Sequence, residues 1–486
     1  MGVTKVKVYA NCDMATIVWE TDKFIPQCRG FALEREVDGA QGDAADGFIR
    51  TWVGFVGQSH TDGESQPSTV WPIQRYIWSD YLVSCGQKVR YQVIPMIGPA
   101  ANLQKAAQSE WSGWTAWVDV DTEKSKGFHA FFNRGIVPAQ FLARQAGSGA
   151  QFKQMLTEDI KNPEAKNRLF LTGPLGPELV KLLQQAKQQG GTIYAALYEL
   201  NDPQLIPALT ALGPKCNLLL GSGAYKPANK KKGTPAVPDE NAAERATLSQ
   251  TSIHLDDRLV TSPHFTHNKF VVFCDSSNPP KPYTVWTGST NWTMTGLCTQ
   301  VNNGLLIDSP ELADAYKKRW DVLQAAANGY PPNVAKTGST PASVTLNGSA
   351  VTAWNVPCLK FVDLNDASKY IADAQQGILF LMFNPGAGDG KKKAYSLLQD
   401  IEQAGARGLF THGVVNQEQK GGAEATVQLT HKGQTLPPVS VGEITPKALT
   451  DAAMHWFHPV YDFYDTVKYS RSGRMHGSGQ AAQSDR

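Results

Sequence analysis

Up to residue 122, apolar and polar residues alternate in short runs separated by turn residues, which is the period of half-buried strands. Lys5–Ala10, Ala15–Glu20, Gly30–Glu36, Thr51–Gly57, Val89–Met96 and Trp114–Val120 are the predicted strands. Their number and spacing predict an all-β sandwich over residues 1–122. Trp19 in the second run and Tyr91 in the Val-Arg-Tyr-Gln-Val-Ile run are placed to fill its core. Trp71, Trp78, Trp111 and Trp114 stay open between core packing and a surface for substrate or a partner.

After the polar stretch Asp121–Gly127 the period changes to helices alternating with buried-type strands, the pattern of an α/β domain. Glu178–Ala186 and Pro203–Leu212 read as helices, Thr192–Leu200 and Asn217–Leu220 as strands, and Ser309–Leu323 as a closing helix, within a block spanning residues 128–327. Residues 328–348, rich in Pro, Gly, Ser and Asn, read as a linker. Residues 349–459 then repeat the plan: helix Asp366–Gln376, strand Gly377–Asn384, helix Lys393–Gln403 and strand Gly408–Val415. Ile193–Tyr198 answers Ile378–Phe383, and Leu218–Leu220 answers Leu409–Val414, so the expected fold is a β-sandwich followed by duplicated βα halves, the second incomplete. Residues 460–486 form a Ser, Arg, Gly and Gln tail expected to be unstructured.

Chemistry concentrates in the first α/β block. His267-Asn268-Lys269 leads into the apolar run Phe270–Phe273, so His267 and Lys269 are expected to enter a strand and project from one face. A neutral imidazole can attack phosphorus or accept a proton, and an adjacent ammonium offsets charge on phosphoryl oxygens. Across the turn Asn278–Pro282, Tyr283–Trp286 reads as an antiparallel return strand that delivers Gly288-Ser289-Thr290-Asn291-Trp292-Thr293. A glycine there lets the backbone approach an anion, and the Ser289 hydroxyl and Asn291 amide can bond phosphate oxygens or orient the imidazole. Glu199, at the end of the Ile193 strand, either reaches this site or serves as a structural cap.

These elements resemble the phospholipase D superfamily signature of His, any residue, Lys, four residues and Asp, followed by a Gly-Ser-any-Asn element. Here the four residues after Lys269 lead to Cys274, and the acid stands one place late at Asp275. The resemblance implies phosphodiester hydrolysis or transphosphatidylation through a phosphohistidine, with His267 as nucleophile or general acid/base and Lys269 and Asn291 on the phosphate. Ser289 would support them, Gly288 and Glu199 would face the substrate, and Asp275 would brace the loop. It implies no metal and no other cofactor. Glycerophospholipid is the first expected substrate, with a peripheral membrane contact; nucleic acid is the alternative. In that family two halves each give a His and a Lys to one site, yet His455-Trp456-Phe457 and His458-Pro459-Val460 lack the Lys, and His476 lies in the tail. A homodimer sharing the His267 site, an impaired enzyme, or an inactive binding protein therefore stay open. The N-terminal strands resemble a fibronectin type III domain.

The bulk composition narrows the partners. In 486 residues, 46 Lys and Arg nearly balance 44 Asp and Glu, so any attraction to a polyanion must be local. Lys230-Lys231-Lys232, ahead of the site, reads as a solvated loop or a collector of anionic substrate. Gly221-Ser222-Gly223 follows a strand without a Gly-Lys-Ser/Thr element and reads as a plain turn. His254, Asp256, Asp257 and His264 match no metal-ligand spacing. The seven scattered cysteines read as reduced thiols, with a disulfide among Cys12, Cys28 and Cys85 as the alternative. The start of the chain lacks an apolar export core and no run approaches a membrane span, so cytoplasmic residence is expected.

Overall fold

The computed structural model describes residues 2–39, 47–55, 57–59, 64–120, 127–135, 149–222, 226–228, 233–236, 239–261, 264–382 and 397–415, with four short strand pieces between 426 and 440. Lys230–Lys232 and residues 441–486 lie outside the described residues. The chain divides into a unit running to Asp314 and one spanning 315–345 and 349–448.

The N-terminal region is built from β1 (Val3–Ala10), β2 (Ala15–Thr21), β3 (Cys28–Val37), β4 (Arg50–Thr51), β5 (Gln66–Pro67), β6 (Ile77–Asp80), β7 (Gln87–Ile97), β8 (Gln104–Lys105) and β9 (Val118–Val120). One antiparallel sheet runs β1-β2-β6; the other runs β3-β7-β8 with β9 also on β7, and β4 pairs β5. Ile17 and Trp19 from the first sheet meet Phe31, Leu33, Tyr91 and Val93 from the second in one core, where the Trp19 and Phe31 rings stand edge to face at 5.5 Å. Beneath them the Tyr91 hydroxyl donates to Asp80 Oδ2 at 2.9 Å, and Asp80 pairs with Arg35 at 3.0 Å.

Two predicted strands are shorter than their patterns. Among the described residues of Thr51–Gly57 only Thr51 stays in a ladder, and the Phe55 amide donates to Gln58 Oε1 at 2.9 Å. Of Trp114–Val120 only β9 remains: the Thr115 and Ser112 hydroxyls accept from the Tyr91 and Val93 amides at 3.1 and 2.9 Å, a side-chain replacement of ladder bonds. Trp71 is buried, whereas Trp114 and Trp117 are partly exposed, with the Arg90 guanidinium 5.0 and 4.6 Å from their ring centres.

The α/β region uses β10 (Phe128–Phe132), β11 (Thr192–Leu197), β12 (Cys216–Leu220), β13 (His254–Asp257), β14 (Lys269–Cys274), β15 (Pro282–Gly288) and β16 (Asn303–Ile307), in the order β10-β16-β15-β14-β11-β12-β13. β11, β12 and β13 run parallel; the other neighbours are antiparallel. All six residues of β14 are buried, consistent with their unbroken apolar and β-branched run. Helix Leu175–Gln188 lays Leu175, Leu179, Leu182, Leu183 and Ala186 on the sheet, and Gly190, at φ +66°, ends it. The tip of the β1–β2 hairpin belongs to this same core: Cys12 is buried among its residues, and Asp13 pairs with Arg134 at 3.1 Å.

The second unit repeats the order helix, strand, helix, strand. Helix Val362–Asp373 precedes β19 (Gly377–Met382), and helix Leu397–Ala406 leads to β20 (Phe410–Val415), which pairs parallel with β19. The stretch read as a linker is structured: helix Pro332–Gly338 is followed by β17 (Ala342–Leu346), paired with β18 (Ser349–Ala353). Its prolines act as a helix start, where the missing N–H loses no bond, and Arg319 Nη1 donates to the Val334 carbonyl at 2.7 Å. All seven cysteines are free thiols. No described helix is long and apolar enough to cross a membrane.

Gly304 in β16 leaves room for the indole of Trp286, which stacks on Phe131 at 5.4 Å; a Cβ on Gly304 would lie 2.1 Å from Trp286 Cζ2. Gly304→Ala is expected to destabilise this unit by about 1–3 kcal/mol through overpacking, read as a lower denaturant midpoint at unchanged slope. An unshifted midpoint would contradict the packing described.

Candidate active site

One edge of the mixed sheet collects the C-terminal ends of β10, β11, β12, β13 and β15 and the starts of β14 and β16. Open α/β sheets bind ligands outside the carboxyl ends of their parallel strands, and the residues singled out in the sequence, Asp275 excepted, lie along this edge.

Lys269 is the first residue of β14, paired with Leu197 at the end of β11, and only 7% exposed. His267 stands just outside the strand, not within it: the Asn268 amide turns back to the Thr266 carbonyl at 2.8 Å and ends the ladder there. Tyr198 joins the two. Its buried ring meets the His267 imidazole at 4.6 Å, edge to face, and lies 5.0 Å from Lys269 Nζ. That ammonium donates to the His267 carbonyl at 3.3 Å. Partial burial, with the Lys269 charge adding to it, pushes the imidazole down from 6.5 to about 4, although His267 as a whole is an exposed residue. Burial pushes Lys269 down to about 8, with Glu199 opposing the shift. At neutral pH the site therefore pairs a neutral imidazole with a charged ammonium.

The Gly288–Thr293 segment is held from two sides. Gly288 has φ +143°, and a Cβ there would lie 2.4 Å from the Asn303 carbonyl, so only glycine allows the approach to β16. The Ser289 hydroxyl donates to Asn302 Oδ1 at 2.8 Å and accepts from the Asn303 amide at 3.0 Å. Serine thus fastens the segment to β16. Asn291 Nδ2 donates to Glu199 Oε2 at 2.9 Å, while Asn291 Oδ1 is buried without a hydrogen bond. The Trp292 amide donates to the Glu199 carbonyl at 3.2 Å, and a parallel bridge links Trp292 to Leu200. Burial, the neighbouring Glu240 charge and a hydrogen bond with that carboxyl push Glu199 above the usual carboxylate range, against a smaller pull from Lys269.

Asp275 lies elsewhere. It follows β14 at the opposite end, roughly 20 Å away for a strand of this length. There it accepts from the Lys281 and Ser277 amides at 2.8 and 3.1 Å, bonds that pull its carboxyl below the ordinary range. It therefore braces the β14–β15 hairpin and stands outside the His267 cluster. Sequence reading did not single out Tyr198, or three asparagines that build the edge. Asn133 Nδ2 donates to the Leu297 and Gln300 carbonyls at 2.8 and 2.6 Å. Asn241 spans Tyr198 and Gly221, donating to their carbonyls at 2.9 and 3.0 Å. Asn302 receives Ser289. Among the described residues no group of His, Cys, Asp or Glu is arranged to hold a metal ion.

Residues 179–323 match the family described as Cardiolipin synthase, PLD-like domain. They form a phospholipase D-like domain. The match takes in Glu199, His267, Lys269, Gly288, Ser289 and Asn291. Among solved structures, the phospholipase D family member Nuc from Salmonella typhimurium is 19% identical, covering 31% of this chain and 89% of its own, with a TM-score of 0.22. NucT from Helicobacter pylori is 11% identical over 32% of this chain and 92% of its own, at 0.23. Phosphatidylserine synthase from Haemophilus influenzae Rd KW20 is 13% identical over 50% of this chain and 60% of its own, at 0.35. No curated protein matches the chain.

In the phospholipase D-like domain the His267 imidazole is expected to stay neutral well below its ordinary 6.5, titrating near 4 in ring-proton NMR. An imidazole depressed in the folded state favours folding fully above 6.5, and that contribution is lost as pH falls from 6.5 towards 4. The stability difference between wild type and His267→Asn should therefore shrink over that window. A midpoint near 6.5 would refute the packed environment.

Proposed function

We propose that the phospholipase D-like domain hydrolyses or transfers phosphodiesters, with His267 forming a phosphohistidine and glycerophospholipid as the substrate class. The observation that carries this reading is the neutral imidazole of His267 placed beside the buried ammonium of Lys269, both against Tyr198. An uncharged imidazole at neutral pH keeps the lone pair that attack on phosphorus needs. Lys269 still carries its proton there and offsets charge on the phosphoryl oxygens in a desolvated setting. Asn291 is fixed by Glu199, and Ser289 holds the segment that carries it. The matched family's description as cardiolipin synthase-like supports a glycerophospholipid.

Purified wild type, His267→Ala and Lys269→Ala would be compared on bis(p-nitrophenyl) phosphate, phosphatidylcholine and single-stranded DNA. His267→Ala is expected to lose at least about 10²–10⁴-fold in turnover, and Lys269→Ala to lose kcat more than KM. Light scattering on the same samples reports whether the active species is a monomer or a homodimer. Equal turnover by wild type and His267→Ala would sink the reading; His267-dependent cleavage of DNA alone would keep the chemistry and replace the substrate class.

A further inference from the structure

We infer that Tyr198 is a positioning residue, whose ring sets where the His267 imidazole stands relative to the Lys269 ammonium. The inference rests on the phosphodiesterase reading above, and concerns what orients the two groups that act on phosphorus.

The strand ladder orients only one of them. Lys269 pairs with Leu197 as the last rung between β14 and β11. His267 has already left the strand, where the Asn268 amide turns back to the Thr266 carbonyl, and it is exposed. An exposed side chain on irregular backbone samples several rotamers unless a neighbour packs against it. Tyr198 supplies that neighbour. Its ring meets the imidazole at 4.6 Å with 63° between the planes, and the same ring lies 5.0 Å from Lys269 Nζ. Edge-to-face packing restricts the imidazole, while the ring quadrupole attracts the ammonium. Both reactive groups thus take their bearing from one ring.

The backbone that carries Tyr198 is held from several sides. From the last rung onward, three successive carbonyls each accept from a different element: Leu197 from the Gly221 amide at 2.7 Å, Tyr198 from Asn241 Nδ2 at 2.9 Å, and Glu199 from the Trp292 amide at 3.2 Å. Asn241 Oδ1 also accepts from the Leu200 amide at 2.9 Å, and Asn241 is itself buried. That one side chain clamps the bend on both sides of Glu199. Tyr198 is buried as well, so its ring is confined by packing while the imidazole it touches is not. The confined partner dictates the geometry of the free one. Attack on phosphorus tolerates little error, since a misplacement of about 1 Å costs on the order of 10²-fold in rate.

Three variants test this. Tyr198→Phe keeps the ring, Tyr198→Leu removes it, and Asn241→Ala leaves the ring but releases its backbone. Each is compared with wild type for turnover of bis(p-nitrophenyl) phosphate and for the ring-proton NMR of His267, with a denaturant midpoint to establish folding. Tyr198→Phe is expected to stay within a few-fold of wild type. Tyr198→Leu is expected to lose about 10²-fold in kcat at little change in KM, and its His267 ring-proton resonances, no longer under the tyrosine ring current, should move. Asn241→Ala should shift both readouts the same way, and decides the matter if Tyr198→Leu does not fold. Wild-type kcat without the ring, equal losses in Tyr198→Phe and Tyr198→Leu, or unmoved His267 resonances would overturn the inference. Failure of the underlying reading is distinct: His267→Ala would then match wild type in turnover, while the ring-proton resonances would still report whether Tyr198 orients the imidazole.

Discussion

The antiparallel pairing of β14 against β11 is the constraint on which the site depends. Because strand side chains alternate faces, the pairing of Leu197 with Lys269 decides that the ammonium points toward Tyr198 and Glu199. A slip by one residue would carry Lys269 to the opposite face, away from the Tyr198 ring that it shares with His267. Register is protected where both faces of a strand are buried, and β14 is buried along its whole length. The segment after β11 is held independently. Asp202 is fully buried, accepts from Arg168 at 2.7 Å and from the Gln204 and Leu205 amides, while its own amide donates to the Trp292 carbonyl. Breaking such a pair by removing one partner strands the other charge in the core.

The site's electrostatics follow from unequal burial of its members. A buried ammonium, an imidazole that resists protonation and a carboxyl that resists ionisation lie within a few residues of one ladder end. Each departs from its ordinary behaviour mainly through desolvation, and each neighbour modifies the next. The imidazole is thereby kept neutral at neutral pH. The arrangement is held together by uncharged groups: Tyr198, Asn291, Asn241 and Ser289 supply the geometry while the charges supply the chemistry.

β14 and β15 are legible in the sequence because Phe270–Phe273 and Tyr283–Trp286 are β-branched or aromatic, and a proline-rich turn lies between them. The helix over Leu175–Gln188 is legible because its leucines keep helical spacing. β16 is not, since Asn303-Gly304-Leu305 shows neither alternation nor an apolar run, and its place is set by Ser289 and Trp286 from another strand. The site shows the same division. His267, Lys269, Ser289 and Asn291 stand out because their residue types are chemically suited to phosphate, whereas Tyr198 and Asn133 look like ordinary core residues until the topology brings them to the edge. Asp275, grouped with the site residues in the sequence and expected to brace the loop, sits at the far end of the strand and holds the β14–β15 turn.

The hairpin tip that inserts Cys12 into the α/β core changes what the N-terminal sandwich is. A thiol with almost no exposure, donating to the Ala130 carbonyl at 3.8 Å and flanked by the Asp13–Arg134 pair, completes the neighbour's interior. Severing the chain between the two regions would leave a gap beside β10 and an unpaired arginine at its rim. The sandwich is thus a plug as well as a neighbour, and recombination of the phospholipase D-like domain onto another partner would have to replace that plug before the sheet could close.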